Sequence, residues 1–194
     1  KYRFGIGWTY FSEAMLSSPK ERNQLYQQAI QTWQKMIQRH PSGKFVDQAQ
    51  YHVGVAQSNL RRYQSAITTF ETVLQTYQGS NWRDDAQYQI GWAYYKLERY
   101  NDAAVAFQKQ LRSFPASRLE PKAVFGIANA YFKLGNYTSA ITEYQRVVEK
   151  FPNLKVKTGQ PGAEKVVDLR PEAQYYVAES YVNLQNYQKA IQAY

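Results

Sequence analysis

The chain contains no cysteine and only two histidines, His40 and His52, among its 194 residues. Disulfides are thereby excluded, and so is a conventional structural zinc cluster, whose ligands come mainly from Cys and His. A lack of thiols suits an oxidising compartment and is equally ordinary in a bacterial cytosol. His40 precedes Pro41 at a helix end and His52 falls inside a helical pattern, so both are read as structural, and no metal or other cofactor is expected. Long apolar runs are also missing: nothing approaches the roughly 18 residues of a membrane span, and no basic leader with an apolar centre opens the chain. The chain starts at Lys1 without an initiator methionine and stops inside a helical pattern, which reads as a fragment or a processed product.

Acidic residues are in deficit, 15 Asp and Glu against 24 Lys and Arg, for a net charge of +9. That excess attracts acidic proteins, anionic polymers or membrane surfaces. The basic residues are dispersed, with Arg61-Arg62 the tightest pair, and no nucleic-acid module is present, so specific nucleic-acid binding is not expected. Thr158-Gly-Gln-Pro-Gly162 lacks the spacing and terminal Lys-Ser/Thr of a phosphate loop. Asp84-Asp85 falls in the first turn of a helical segment, where carboxylates complement exposed amides, and is read as capping, not catalysis. No catalytic residues are singled out, and the chain is not expected to be an enzyme.

What is present is a repeat. Ala29, Ala66, Ala103 and Ala140 stand 37 residues apart, and a whole pattern travels with each. Ile90, Tyr94, Leu97, Tyr100, Ala103, Phe107 and Pro115 recur as Ile127, Tyr131, Leu134, Tyr137, Ala140, Tyr144 and Pro152. An earlier copy runs through Val53-Gly54, Leu60, Tyr63, Ala66 and Phe70, and a fifth begins at Val177 and stops at Tyr194. Apolar steps of three and four within each copy predict two helices per unit. The alanines, with Gly54, Gly91 and Ala128, mark close helix crossings. Gly135 or Asn136 supplies the left-handed residue of the turn, and Pro41, Pro115 and Pro152 mark the ends of second helices.

Two irregularities break the period. Gly7 lies 22 residues before Ala29, whereas Gly91 lies 12 before Ala103, so ten residues enlarge the first hairpin around Ser17-Ser18-Pro19-Lys20, which can cap and start a helix. Between Ala140 and Ala190 the interval is 50, and the added segment, 153–170, carries Leu154-Lys-Val-Lys157 and Lys165-Val-Val-Asp-Leu169. That pattern permits a small β-hairpin, with a solvated irregular loop as the alternative. The expected organisation is repeat 1 with its insertion at 1–43, repeats 2 to 4 at 44–80, 81–117 and 118–152, the insert at 153–170, and a truncated fifth repeat at 171–194.

This pattern resembles the tetratricopeptide repeat, whose signature of small, aromatic, alanine, aromatic and proline positions is matched by Gly91, Tyr94, Ala103, Phe107 and Pro115. The longer period is similar to that of bacterial envelope members, including the lipoprotein subunit of the outer-membrane assembly machine and the Tol-Pal cell-division coordinator. The resemblance implies an all-α, right-handed superhelical solenoid whose first helices line a concave groove. Carried onto this chain, the fifth position of the unit is Phe4, Tyr51, Tyr88, Phe125 and Tyr175, the ninth includes Trp8, Trp92, Asn129 and Glu179, and the twelfth includes Phe11, Tyr95 and Phe132. Lys96 and Lys133 border this surface.

The groove is expected to hold a protein or peptide segment, with Trp92, Tyr95 and Phe132 as chief contacts and Asn129 and Lys133 orienting it. A ring at the fifth position has a plainer reading, packing between successive first helices. The chaperone-binding carboxylate clamp, which needs Lys at the fifth position, is disfavoured by aromatic residues there. The expected function is a scaffold or adaptor, periplasmic or outer-membrane associated, with a cytoplasmic setting as the alternative. Binding of an anionic glycan or cell-wall polymer, and a role as a spacer or oligomerisation arm, remain open. Self-association through the truncated last repeat is also anticipated.

Overall fold

The computed structural model describes residues 2–151, 155–158 and 165–194. Ten helices and two strands follow one another among them: α1 (Tyr2–Leu16), α2 (Pro19–Arg39), α3 (Val46–Asn59), α4 (Tyr63–Thr76), α5 (Arg83–Lys96), α6 (Tyr100–Ser113), α7 (Glu120–Lys133), α8 (Tyr137–Lys150), β1 (Lys155–Thr158), β2 (Lys165–Asp168), α9 (Arg170–Asn183) and α10 (Tyr187–Ala193). The fold is an all-α solenoid of helical hairpins. Its contacts divide it into two compact units, one built on residues up to Ala93 and the other on residues from Tyr94.

In the first unit α1 lies on α2, α2 on α3 and α3 on α4. Phe11, Tyr26, Ala29, Trp33, Ala49 and Val53 belong to its core. In the second unit α6 packs on α7, α7 on α8 and α8 on α9, and Phe125, Ala128, Ala140, Tyr144, Ala173 and Val177 meet inside. All four periodic alanines are fully buried, as is the aromatic residue four positions after each: Trp33, Phe70, Phe107 and Tyr144. One helical turn separates the two side chains, so both face the partner helix.

Glycine is needed where these rings meet backbone. A Cβ on Gly54 would fall 2.6 Å from the Phe70 ring, and one on Gly7 would fall 2.4 Å from the Trp33 indole. Gly126, which the repeat pattern did not single out, plays the same part toward Phe107 on the preceding α6, at 2.7 Å.

The turns between α3 and α4, α5 and α6, α7 and α8, and α9 and α10 share one conformation. Arg61, Glu98, Gly135 and Gln185 all have φ between 58° and 74°. The following amide closes a hydrogen bond to the carbonyl five residues back, as from Arg62 to Gln57 at 2.9 Å and from Asn136 to Tyr131 at 2.9 Å. This is the helix-ending pattern that favours glycine, and only one of the four positions has it. Asn136 and Asn186 then cap α8 and α10 by accepting the amides of Ser139 and Lys189 at 3.2 Å.

The ten extra residues of the first hairpin lengthen α2 to 21 residues, against 14 in α4, α6 and α8. Pro19 opens α2, but the Ser18 hydroxyl donates to the Glu21 carboxylate at 2.6 Å and caps no amide. In the insert, β1 and β2 pair antiparallel with Lys155 opposite Asp168 and Thr158 opposite Lys165, so the hairpin alternative describes those segments. The Gly-Gln-Pro-Gly segment and Pro152 lie outside the described residues.

Candidate binding surfaces

In the first unit the candidate residues of α1 and α3 divide by exposure. Trp8 is 44% exposed and stacks on Phe11 at 5.6 Å, whereas Phe11 and Tyr51 are buried and Phe4 is half-buried against Phe45 at 5.4 Å. Phe11 and Tyr51 are thus placed in the packing between helices, the plainer reading of the fifth position for Tyr51, with Phe11 directly behind Trp8. Tyr51 also stacks on Trp82 at 4.8 Å. On α5, Tyr88 and Trp92 are half-buried and meet edge to face at 6.3 Å. Burial pushes the Tyr88 phenol up to about 12, opposed by a hydrogen bond with Trp92.

In the second unit, Phe125 is likewise buried, edge-on to Tyr144 at 5.7 Å, in keeping with the packing alternative for the fifth position. Asn129 is half-buried, and its side-chain oxygen accepts the Tyr144 hydroxyl at 2.6 Å, leaving the amide hydrogens as donors. Phe132 is half-buried between Tyr137 at 5.5 Å and Tyr176 at 5.1 Å, both edge to face. Tyr95 meets Tyr100 edge-on at 5.2 Å, and its phenol is raised by burial and then by Tyr100 and Tyr176. Lys96 and Lys133 are exposed, and Tyr175 is 49% exposed. Glu179 is engaged by the Tyr194 hydroxyl.

Sequence reasoning placed Tyr100 and Tyr137 in the repeat pattern but not at the site, and passed over Tyr176; the three frame Tyr95 and Phe132. The signal was present: Tyr63, Tyr100, Tyr137 and Tyr187 each stand three residues before a periodic alanine. It also passed over the cluster around His52, a helix-interior residue with rings on every side. A cavity of ≈ 440 Å³ in the first unit is lined by Pro41–Lys44 and Thr76–Ser80 among others and contains none of the candidate side chains. No group of three or more His, Cys, Asp or Glu is placed to hold a metal ion among the described residues. What the two surfaces offer is aromatic area, phenol and amide hydrogen-bonding groups, and ammonium charge.

One tetratricopeptide repeat model matches residues 88–154 and a second matches residues 48–80 and 172–194. The chain is a tetratricopeptide repeat protein. No curated protein matches it. Among solved structures, MamA from Desulfovibrio magneticus RS-1 superposes with a TM-score of 0.68 at 19% identity, covering 98% of this chain and 90% of that one. BtubC (BKLC) from P. vanneervenii gives 0.68 at 12% identity, covering 90% of this chain and 74% of that one. The kinesin light chain repeats of Podosopora anserina give 0.66 at 13%, covering 99% and 89%. Such identities speak for the tetratricopeptide fold alone, and this fold builds surfaces for protein partners. No helix among the described residues is long and apolar enough to cross a membrane.

Proposed function

We propose that this tetratricopeptide repeat protein is a non-enzymatic adaptor whose first helices, in each unit, present an aromatic surface to an extended or helical segment of a protein partner within a bacterial envelope assembly. The observation that carries this reading is the partial exposure of aromatic residues at ligand-facing positions of those helices: Trp8, Trp92, Tyr95 and Phe132. Rings left in solvent bind with large contact area and little rotamer loss. The Asn129 amide and the Lys96 and Lys133 ammonium groups give such a segment polar anchors, while Phe4, Phe11, Tyr51, Tyr88 and Phe125 support the rings. The long period, similar to that of envelope members, supports the setting.

Affinity capture from a bacterial envelope extract, comparing the chain with a folded Trp92→Ala/Tyr95→Ala/Phe132→Ala variant, tests this. Loss of one specific protein in the variant is expected. An unchanged set of captured proteins removes the surface from the reading, and salt-sensitive retention of polysaccharide in place of protein favours the anionic-polymer alternative.

Self-association through the last repeat is a further part of the proposal, with Ile191 on α10, 77% exposed, as its contact. Sedimentation velocity of the chain and of Ile191→Glu is the test: concentration-dependent association in the first and a monomer in the second are expected.

A further inference from the structure

His52 sits at the centre of the first unit and is only 7% exposed. Six aromatic rings surround its imidazole. Trp8 lies at 4.9 Å, Trp82 at 5.1 Å, Tyr51 at 5.2 Å, Trp33 at 5.6 Å, Phe11 at 6.0 Å and Phe4 at 6.4 Å. Neither ring nitrogen has a hydrogen-bond partner among the described residues. Three of the six rings belong to α1. We propose that α1 is an acid-released latch: the cage closes over neutral His52, and protonation of the imidazole drives α1 off α2 and α3.

The cage is built to exclude water and offers no counter-charge. From α1 it receives Phe4, Trp8 and Phe11, from α2 Trp33, from α3 Tyr51, and from the segment before α5 Trp82. Tyr51 is the one titratable group in that set, and a phenol carries no charge in acid. The nearby carboxylate of Asp47 acts on Tyr77 instead. Burial alone lowers His52 from 6.5 to about 4, with no carboxylate or cation contributing. Trp33 lies at 29° to the imidazole, whereas Trp8, Tyr51 and Trp82 cross it at 64°, 68° and 61°; their cation–π attraction offsets part of the cost of burying the charge, but none of them is a counter-charge.

The route to hydration is also defined. Five of the six rings are buried or half-buried, and Trp8 alone is at the surface. Trp8, 44% exposed, is the lid of the cage, and moving it with its helix brings water to the imidazole. Besides packing, α1 is tied to α2 by the Trp33 indole N–H, which donates to the Phe4 carbonyl at 3.3 Å, and by the seat of Trp33 against Gly7. The released state exposes Trp8, Phe11 and the underside of α3 together. This device does not depend on the adaptor reading, because opening is measured with no partner present.

Hydrogen exchange of the α1 amides and of the Trp33 indole N–H, corrected for intrinsic rates, is the direct test. Between about pH 7.5 and about pH 5, protection of these groups should fall roughly 30-fold, as proton linkage between a group titrating near 6.5 when hydrated and near 4 when caged requires. The α7 amides of the second unit should keep theirs, and His52→Phe should abolish the change. Unchanged protection of α1, an equal loss in α7, or the same pH dependence in His52→Phe overturns the latch. Should His52→Phe fail to fold, His52→Leu serves the same comparison, and the wild-type contrast between α1 and α7 decides by itself.

Discussion

The Tyr144 hydroxyl donates to the Asn129 side-chain oxygen across 2.6 Å, joining the buried ring that follows a periodic alanine to a candidate contact residue on the neighbouring first helix. The same phenol is raised by burial first and then by Tyr176, Tyr95 and Glu172, so it keeps its proton and remains a donor. Tyr144→Phe retains the ring and removes the donor. The second unit should lose about 1 kcal/mol, measured by urea unfolding, whereas Tyr144→Ala should cost about 3–5 kcal/mol by opening a cavity.

Two glycines on α1 should respond oppositely to the same change. Nothing lies within 4 Å of a Cβ placed on Gly5, so Gly5→Ala should gain about 0.5–1 kcal/mol from helix propensity. Gly7→Ala drives a methyl into the buried Trp33 indole and should cost about 1–3 kcal/mol. Thermal unfolding of the pair checks both signs.

The Gly135-Asn136 turn can be transplanted. Arg61 holds φ 58° without being glycine, and Arg62 precedes α4 with no side-chain cap, although its φ of -86° and ψ of 59° are close to the -83° and 70° of Asn136. Arg61→Gly relieves the left-handed strain and Arg62→Asn supplies the missing cap, each by roughly 0.5–1 kcal/mol. The double variant should raise the denaturant midpoint of the first unit.

Acid should weaken the first unit globally as well as locally. Because His52 binds its proton less readily folded than unfolded, the unfolded chain takes up more protons as the pH falls. Stability is therefore fully present above 6.5 and is lost progressively down to about 4, below which this group adds no further dependence. The loss is at most about 3 kcal/mol, from the shift at 1.36 kcal/mol per unit of pKa. His52→Phe should flatten that part of the stability profile, and urea titrations at several pH values read it.

The repeat itself was legible because its determinants are local. Ala103 and Phe107 are one helical turn apart, and a single left-handed residue lies two positions after the end of α3, α5, α7 and α9. What sequence could not resolve depends on which helix covers which face. Helical period places Tyr51, Phe125 and Tyr175 on equivalent positions, yet the first two are buried and the third is half in solvent. Gly126 escaped notice because its neighbour, Phe107, belongs to the preceding repeat. The His52 cage draws on residues from Phe4 to Trp82, a span that no local pattern joins. The insert stayed open between hairpin and loop because alternation over four residues suits either.

The pairing of glycine with a buried ring links the history of two distant positions. If a lineage enlarges Gly54 or Gly126, the matching Phe70 or Phe107 must shrink in compensation; if it shrinks the ring first, the glycine becomes free to drift. Substitutions at these sites should thus arrive in couples, one couple per helix crossing, while the rings left in solvent on the first helices change one at a time.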